Sequence, residues 1–226
     1  MKRLLVSNGY PPYEKGGTEM YTQTIAQALS QKHEVVVFAR KWDYNAPEYK
    51  ISKFSDQKVK VITVVNNIVF PPDFSQSYVN NEIDQIFAKL LSEFKPDLIH
   101  FQHLLGLSIN LPTLAAKNKI PFLFTAHDYW YICPCIRSDH KPDPQCVLDY
   151  QAKYPAKLTA TFLAVPKTLR ALIPTSLKRE AKAFLSRMIV RKTPNKKTAK
   201  ILIETRSKKF KSILKKGRYI ITPSEF

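Results

Sequence analysis

Hydrophobic and polar positions follow two periods along the first 130 residues, and each change of period marks a new element. Lys2 to Ser7 is an apolar run closed by the turn signal Asn8-Gly9 and the pair Pro11-Pro12, which predicts a buried strand and a loop. Beyond Gly16-Gly17, the segment Thr18 to Gln31 sets Met20, Ile25, Ala28 and Leu29 on one helical face, with Thr18 placed to cap its start. Valine-rich Glu34 to Ala39 and then Val59 to Val65 read as strands. Helical spacing returns in Val79 to Phe94 through Val79, Ile83, Ile86, Phe87, Leu90 and Leu91, and Pro96 ends it. Asp97 to Phe101 predicts a fourth strand, Leu111 to Lys119 a helix and Pro121 to Thr125 a fifth strand. Such alternation predicts an α/β protein, a Rossmann-like doubly wound parallel sheet with helices on both faces.

From Tyr129 the pattern changes to an aromatic, cysteine-bearing loop up to about Tyr154 and then to largely helical sequence up to Lys216, interrupted near Pro166, Pro174 and Pro194. Arg218 to Thr222 returns to a short strand four residues before Phe226, so the sequence reads as cut at a boundary between units. The expected organisation is one Rossmann-like domain over 1–226, with 130–216 a loop and basic helical insertion before the last strand. No repeat of solenoid period is present.

Composition supports a real core, with 44% of 226 residues apolar and 12% aromatic. No apolar stretch approaches the roughly 20 residues of a spanning helix, and the N-terminus turns polar at Ser7, before a signal-peptide core could form. Three cysteines within fourteen positions do not make a secreted disulfide framework. The expectation is a cytoplasmic chain in a reducing compartment.

Charge changes the picture more. Residues 1–150 carry 16 basic and 15 acidic side chains, whereas 151–226 carry 20 basic and 3 acidic ones, so +17 of the net +18 sits in the last third. That asymmetry points to a polyanionic surface, nucleic acid or anionic lipid, or else to a solvated basic face. Ser176 to Lys192 interleaves Leu177, Ala181, Phe184, Leu185 and Met188 with Lys178, Arg179, Lys182, Arg187 and Arg191, and Ile201 to Lys216 repeats the theme with Ile203, Phe210, Ile213 and Leu214. A basic helix with an apolar face lies on a membrane or packs that face on its own sheet. At about 1 kcal/mol for each basic residue near an anionic membrane, the charge favours docking there, with Lys178, Arg179, Lys182, Phe184 and Leu185 facing the lipid. A nucleic-acid-binding module has the charge but none of the recognition motifs.

Candidate chemistry collects where open parallel sheets bind ligands, beyond the carboxyl ends of the strands. The loop Asn8 to Thr18, with Gly9, Gly16 and Gly17, leads from a strand into a helix whose first amides can meet an anionic oxygen. Its spacing matches neither a dinucleotide fingerprint nor a phosphate-binding loop, and two glycines can equally make a turn. His100 and His103 fall at and after the fourth strand, and His127 and Asp128 follow the fifth, which brings three imidazoles to one sheet edge. Asp128 is placed either to orient an imidazole or to cap the following turn. Cys133, Cys135 and Cys146 with His140 offer four zinc ligands, but Cys-Pro-Cys is tight for a zinc knuckle. Reduced thiols packed among Tyr129, Trp130 and Tyr131 are the expectation, with no metal and no cofactor.

Four strings, YPPYEKGGTEMY (Tyr10 to Tyr21), KPDLIHFQH (Lys95 to His103), FTAHDYWYICP (Phe124 to Pro134) and YIITPSEF (Tyr219 to Phe226), together resemble the N-terminal half of a family 4 glycosyltransferase of the GT-B fold. The resemblance implies an acceptor-binding Rossmann-like domain facing a second one that holds a nucleotide sugar, with retention of anomeric configuration and no bound metal ion. It also implies that Gly16 and Gly17 approach the donor diphosphate and that His127 lies beside the reacting sugar, with Asp128 next to it. Glu19, His100 and His103 are then expected on the acceptor side. The family's donor-gripping E-x7-E pair is missing, since eight residues beyond Glu180 and Glu204 stand Met188 and Ser212. The expectation is therefore an acceptor-side half that is inactive without a C-terminal donor-binding half, working at the inner membrane face on a lipid-linked or cell-envelope glycan. The rival readings are the nucleic-acid-binding module and a non-catalytic membrane-docking subunit.

Overall fold

A computed structural model describes residues 1–43, 45–67, 73–136, 143–153 and 195–222. Seven strands form one sheet in the order β3-β4-β2-β1-β5-β6-β7. They are β1 (Lys2–Ser7), β2 (Glu34–Lys41), β3 (Ile51–Asp56), β4 (Val59–Val65), β5 (Leu98–Phe101), β6 (Phe122–Thr125) and β7 (Tyr219–Ile221). All neighbours are parallel except β3 and β4, an antiparallel hairpin at one edge. The helices are α1 (Gly17–Ser30), α2 (Asn81–Phe94), α3 (Leu111–Lys117), α4 (Pro144–Lys153) and α5 (Lys196–Leu214).

The predicted α/β architecture is the observed one, and strand alternation explains its two cores. Leu5, Val35, Val37, Ala39, Val59 and Val61 point to one face, where α1 covers them with Ala26, Ile25 and Leu29. Leu4, Val6, Val36, Phe38, Ile99, Phe101, Phe122 and Phe124 point to the other, under α2, α3, α4 and α5. Burying a side chain of valine, leucine or phenylalanine size stabilises the fold by about 1.5–3 kcal/mol. Helix α2 buries Ile83, Phe87, Leu90 and Leu91, the stripe its spacing predicts, and Asn80 caps it by accepting from the Ile83 N–H at 3.2 Å. It stops at Lys95, whose φ of 51° is left-handed, just before Pro96.

Two local expectations fail. Strand β3 escapes a search for apolar runs because it is an edge strand, and Ile51, Lys53 and Ser55 face water. Thr18 does not cap α1: the helix begins one residue earlier, Gly16 occupies the cap position without a side-chain bond, and the Thr18 carbonyl accepts from Thr22 inside the helix. The second basic amphipathic segment also resolves in favour of packing, because α5 turns Ala199, Ile203, Phe210 and Ile213 into the core. The first, 176–192, lies outside the described residues, and with it Lys178, Arg179, Lys182, Phe184 and Leu185. Among the described residues, no helix is long and apolar enough to cross a membrane.

Candidate functional site

The sheet order reverses at β1, which has β2 on one side and β5 on the other, and such a switch point is where open parallel sheets form a ligand crevice, beyond the carboxyl ends of the strands. Three short strands, β1, β5 and β6, deliver Asn8, Gln102, His103, His127 and Asp128 to that edge. Gln102 is held there by its backbone, its N–H donating to the Val6 carbonyl at 2.8 Å.

Two side-chain pairs form the centre. His127 Nε2 stands 2.8 Å from Gln102 Oε1; the amide oxygen accepts, so Nε2 carries the ring proton and Nδ1 keeps a lone pair. The ring also packs edge-on against Tyr21 of α1 at 5.0 Å between centroids. In the second pair the Leu105 N–H donates to His103 Nδ1 at 3.1 Å, which leaves the proton on Nε2 to donate to Asp128 Oδ1, also at 3.1 Å. The same Asp128 oxygen accepts from the Trp130 N–H at 2.8 Å. Asp128 thus caps the turn Tyr129–Tyr131 and orients an imidazole, but the imidazole is that of His103, not of the adjacent His127. An extended backbone at Asp128 turns its carboxylate back over that turn.

Electrostatics lowers the proton affinity of His127 and His100. Burial pushes the His127 pKa down, the neighbouring His103 adds to that, and Asp128 and Glu19 only partly oppose it. Burial tends to raise the Asp128 carboxyl, but the His103 hydrogen bond and charge and the Trp130 N–H outweigh it and hold it below its ordinary value. His100, bonded to Thr125 Oγ1 at 2.8 Å, is lowered to about 4 by burial and by His127. An unfolded histidine takes its proton near 6.5, so between pH 6.5 and about 4 the unfolded chain binds the extra proton. Stability is therefore complete above that window and falls as the pH drops through it. Urea unfolding across this range is expected to show that slope, and His100→Asn to flatten it.

The loop before α1 is tighter than its glycines alone suggest. Gly9 is the residue that must lack a side chain, because a Cβ there would meet Glu14 Oε2 at 2.3 Å and Glu14 Cβ at 2.9 Å. Half-buried Glu14 accepts from the Trp42 N–H at 2.8 Å and lies 3.5 Å from Arg40 Nη2, while Arg40 Nε donates to the Asn8 carbonyl at 3.0 Å. Glu19, which is buried, accepts from Asn8 Nδ2 at 2.8 Å, and its other oxygen crowds the side of Gly16. Gly17 is open: a Cβ there would meet nothing within 4 Å. The helix N-terminus is thus approachable at Gly17, where its first amides lack intrahelical partners.

Of the predicted residues, the structure gathers His100, His103, His127, Asp128 and Glu19 at this edge, while Gly16 caps α1 and Gly17 begins it. Sequence reasoning missed Gln102, Asn8, Tyr21, Glu14 and Arg40. The position of Gln102, directly before His103 at the end of an apolar strand, was the available signal. Cys133 and Cys146 are buried with their sulfurs 3.8 Å apart, and burial together with Cys133 pushes the Cys146 thiol up to about 12. Among the described residues, no group of three or more ligating side chains could hold a metal ion. A separate open cleft of about 540 Å³, lined by Pro11, Pro12, Met20, Gln23, Phe54 and Asp56, lies beside α1. There Asp56 accepts from Tyr10 Oη, Gln23 and Gln27 at 2.8–3.1 Å, which ties α1 to the edge strand β3.

Comparison with known proteins bears on this geometry. The model of the family described as Glycosyltransferase Family 4 matches residues 15–176. An uncharacterized 42.6 kDa protein in the cps region of Klebsiella pneumoniae is 26% identical over 146 residues, 59% of this chain and 38% of its own length. Among solved structures, a sucrose-phosphate synthase from Thermosynechococcus elongatus aligns with a TM-score of 0.41 at 15% identity, over 68% of this chain and 40% of its own. An alpha,alpha-trehalose-phosphate synthase (UDP-forming) from Burkholderia vietnamiensis aligns with a TM-score of 0.38 at 16% identity, over 72% and 43%. The chain therefore spans about two fifths of the length of these proteins.

Proposed function

Because this chain belongs to glycosyltransferase family 4, we propose that it is the acceptor-side half of an enzyme that moves a sugar from a nucleotide-sugar donor to a lipid-linked or cell-envelope glycan. The observation that carries this reading is that α1 meets the His127 ring: Tyr21 of α1 packs on His127, whose Nε2 is held by Gln102, and Gly17 leaves the first turn of the same helix open. Sugar transfer from a diphosphate builds negative charge on the leaving group and oxocarbenium character on the sugar. The α1 amides suit the first need, and their partial positive charge favours an anion. His127 suits the second, since Nδ1 of a ring protonated at Nε2 accepts a hydrogen bond from a sugar hydroxyl and so orients the ring beside the reacting carbon. His103, His100 and Glu19 stand on the acceptor side of the same edge.

The donor's nucleotide is assigned to a second domain, so the purified chain is expected to turn over no nucleotide sugar, and a chain completed by its donor-binding half is expected to do so. Gly17→Ala adds the decisive arm. The added methyl group has room in the fold, so stability should hold while transfer falls through loss of close approach to the diphosphate. Turnover by the isolated chain, or full transfer by Gly17→Ala in the completed enzyme, would refute the assignment.

We place the enzyme at the inner membrane face on the strength of the +17 carried by 151–226. The outward side of α5 presents Lys196, Lys197, Lys200, Lys208 and Lys211, with its apolar side already packed, so α5 would contribute charge alone. Sedimentation with anionic vesicles should then weaken when Lys178, Arg179 and Lys182 are neutralised, and also when Phe184 or Leu185 is made polar. Binding to duplex DNA tighter than about 10⁻⁶ M at physiological salt, without preference for anionic over neutral vesicles, would overturn this and favour a nucleic-acid partner.

A further inference from the structure

A buried cation lies behind the site. Arg206, in the middle of α5, is 1% exposed, and among the described residues no carboxylate pairs with it. Its guanidinium lies 4.1 Å from the Phe210 ring centre and 5.4 Å from that of Trp130, and it donates to two backbone carbonyls, of Trp130 and, at 3.2 Å, of Ile132. A charge taken out of water at that cost is retained only where its hydrogen bonds and surroundings compensate it. Burial does lower the Arg206 pKa, to about 10, which leaves it charged at neutral pH.

Both carbonyls belong to the turn that Asp128 caps. From Arg206 a continuous set of contacts runs to the Trp130 carbonyl, from the Trp130 N–H to Asp128 Oδ1, and from there to His103 Nε2. The His103 ring also lies 5.2 Å from the Trp130 ring. Two fork-like donors on two carbonyls two residues apart fix both the position and the tilt of that turn, which a single hydrogen bond would not do.

We propose that Arg206 is a positioning residue for sugar transfer: from a helix more than seventy residues away in sequence, it clamps the turn 129–132 and so holds the Asp128–His103 pair and the adjoining His127 in register with the crevice. The proposal rests on the transferase reading for its consequence, but not for its geometry. Arg206→Met keeps the apolar stem and removes both donors, and Arg206→Lys keeps a cation that reaches one carbonyl. Nitrogen NMR of the imidazoles in the present chain reads the geometry without any reaction. In the unsubstituted chain His103 should show a single tautomer protonated at Nε2. Arg206→Met should give a mixture of tautomers, and Arg206→Lys an intermediate spectrum, with far-ultraviolet circular dichroism unchanged.

In the enzyme completed by its donor half, Arg206→Met should lower kcat by about 10²-fold with the donor KM little altered, the scale of an ångström-sized misplacement. If Arg206→Met does not fold, Arg206→Lys carries the test with a smaller loss of kcat. A native His103 spectrum in the folded variant, or a full kcat with a disturbed spectrum, overturns the proposal. Absence of transfer from the unsubstituted completed enzyme would instead refute the transferase reading, and the imidazole spectra would still decide whether Arg206 sets the site.

Discussion

Replacing His127 by alanine in the completed two-domain enzyme is expected to lower turnover by about 10²-fold or more, the usual cost of removing a positioned polar group from a reacting centre. The expectation follows from how the ring is held. Gln102 is fully buried and fixed by the Val6 carbonyl, and it accepts the Nε2 proton at 2.8 Å, while Tyr21 closes the other side at 5.0 Å between ring centres. Such a ring cannot drift, so its lone pair is spent on orientation and not on searching for it. His127→Asn is the informative companion, because an amide can restore one hydrogen bond and should recover part of the rate. The donor KM should change little if the ring acts at the sugar and not at the nucleotide. An unchanged kcat in His127→Ala would remove this residue from the reaction.

The largest stability effect is expected from Phe101→Ala, at about 3–5 kcal/mol, the usual cost of removing a fully buried phenylalanine. Phe101 is inaccessible to solvent and packs its ring 5.4 Å from Phe124, 5.6 Å from Phe122 and 6.3 Å from Phe87, joining β5, β6 and α2. Three aromatic neighbours are slow to collapse into the space left behind, so the cavity term adds to the lost transfer energy. Against a total stability of about 5–15 kcal/mol this is a large fraction. Urea unfolding should show a lower midpoint with the slope nearly unchanged. Ile51→Ala, on the exposed edge strand β3 with 45% of its surface in water, is the control and should cost within about 0.5 kcal/mol. A loss below about 1 kcal/mol for Phe101→Ala would show that this core relaxes freely. Since Gln102 follows Phe101 directly, the same substitution should also loosen the contact to His127.

Much of the site was readable because its residues lie at strand ends, where chain order and sheet rules place them. His100 lies near the end of β5 and His103 just beyond it, and His127 and Asp128 follow β6; parallel neighbours therefore had to bring them to one edge. Partners were harder to read. Asp128 stands next to His127 in the chain and yet bonds His103, because its backbone is extended and its carboxylate folds over the following turn. Adjacent residues in extended chain point apart, so sequence proximity argued for the wrong imidazole. Gln102 carried only a positional signal, as one polar residue directly before His103 at the end of an apolar strand.

What the sequence by itself determined is the layered α/β plan, the sheet edge at which the candidate residues gather and the segregation of charge into the last third. Each follows from properties local to a segment: apolar period, turn residues and side-chain charge. Only the tertiary structure decided which imidazole each carboxylate or amide holds, that α5 buries its apolar face instead of offering it to lipid, and that Arg206 lies among aromatic rings behind the turn 129–132. Those outcomes depend on contacts between residues such as Arg206 and Trp130, which are 76 positions apart. No local pattern encodes such a pair, because it is the sum of the packing around it that selects the partner.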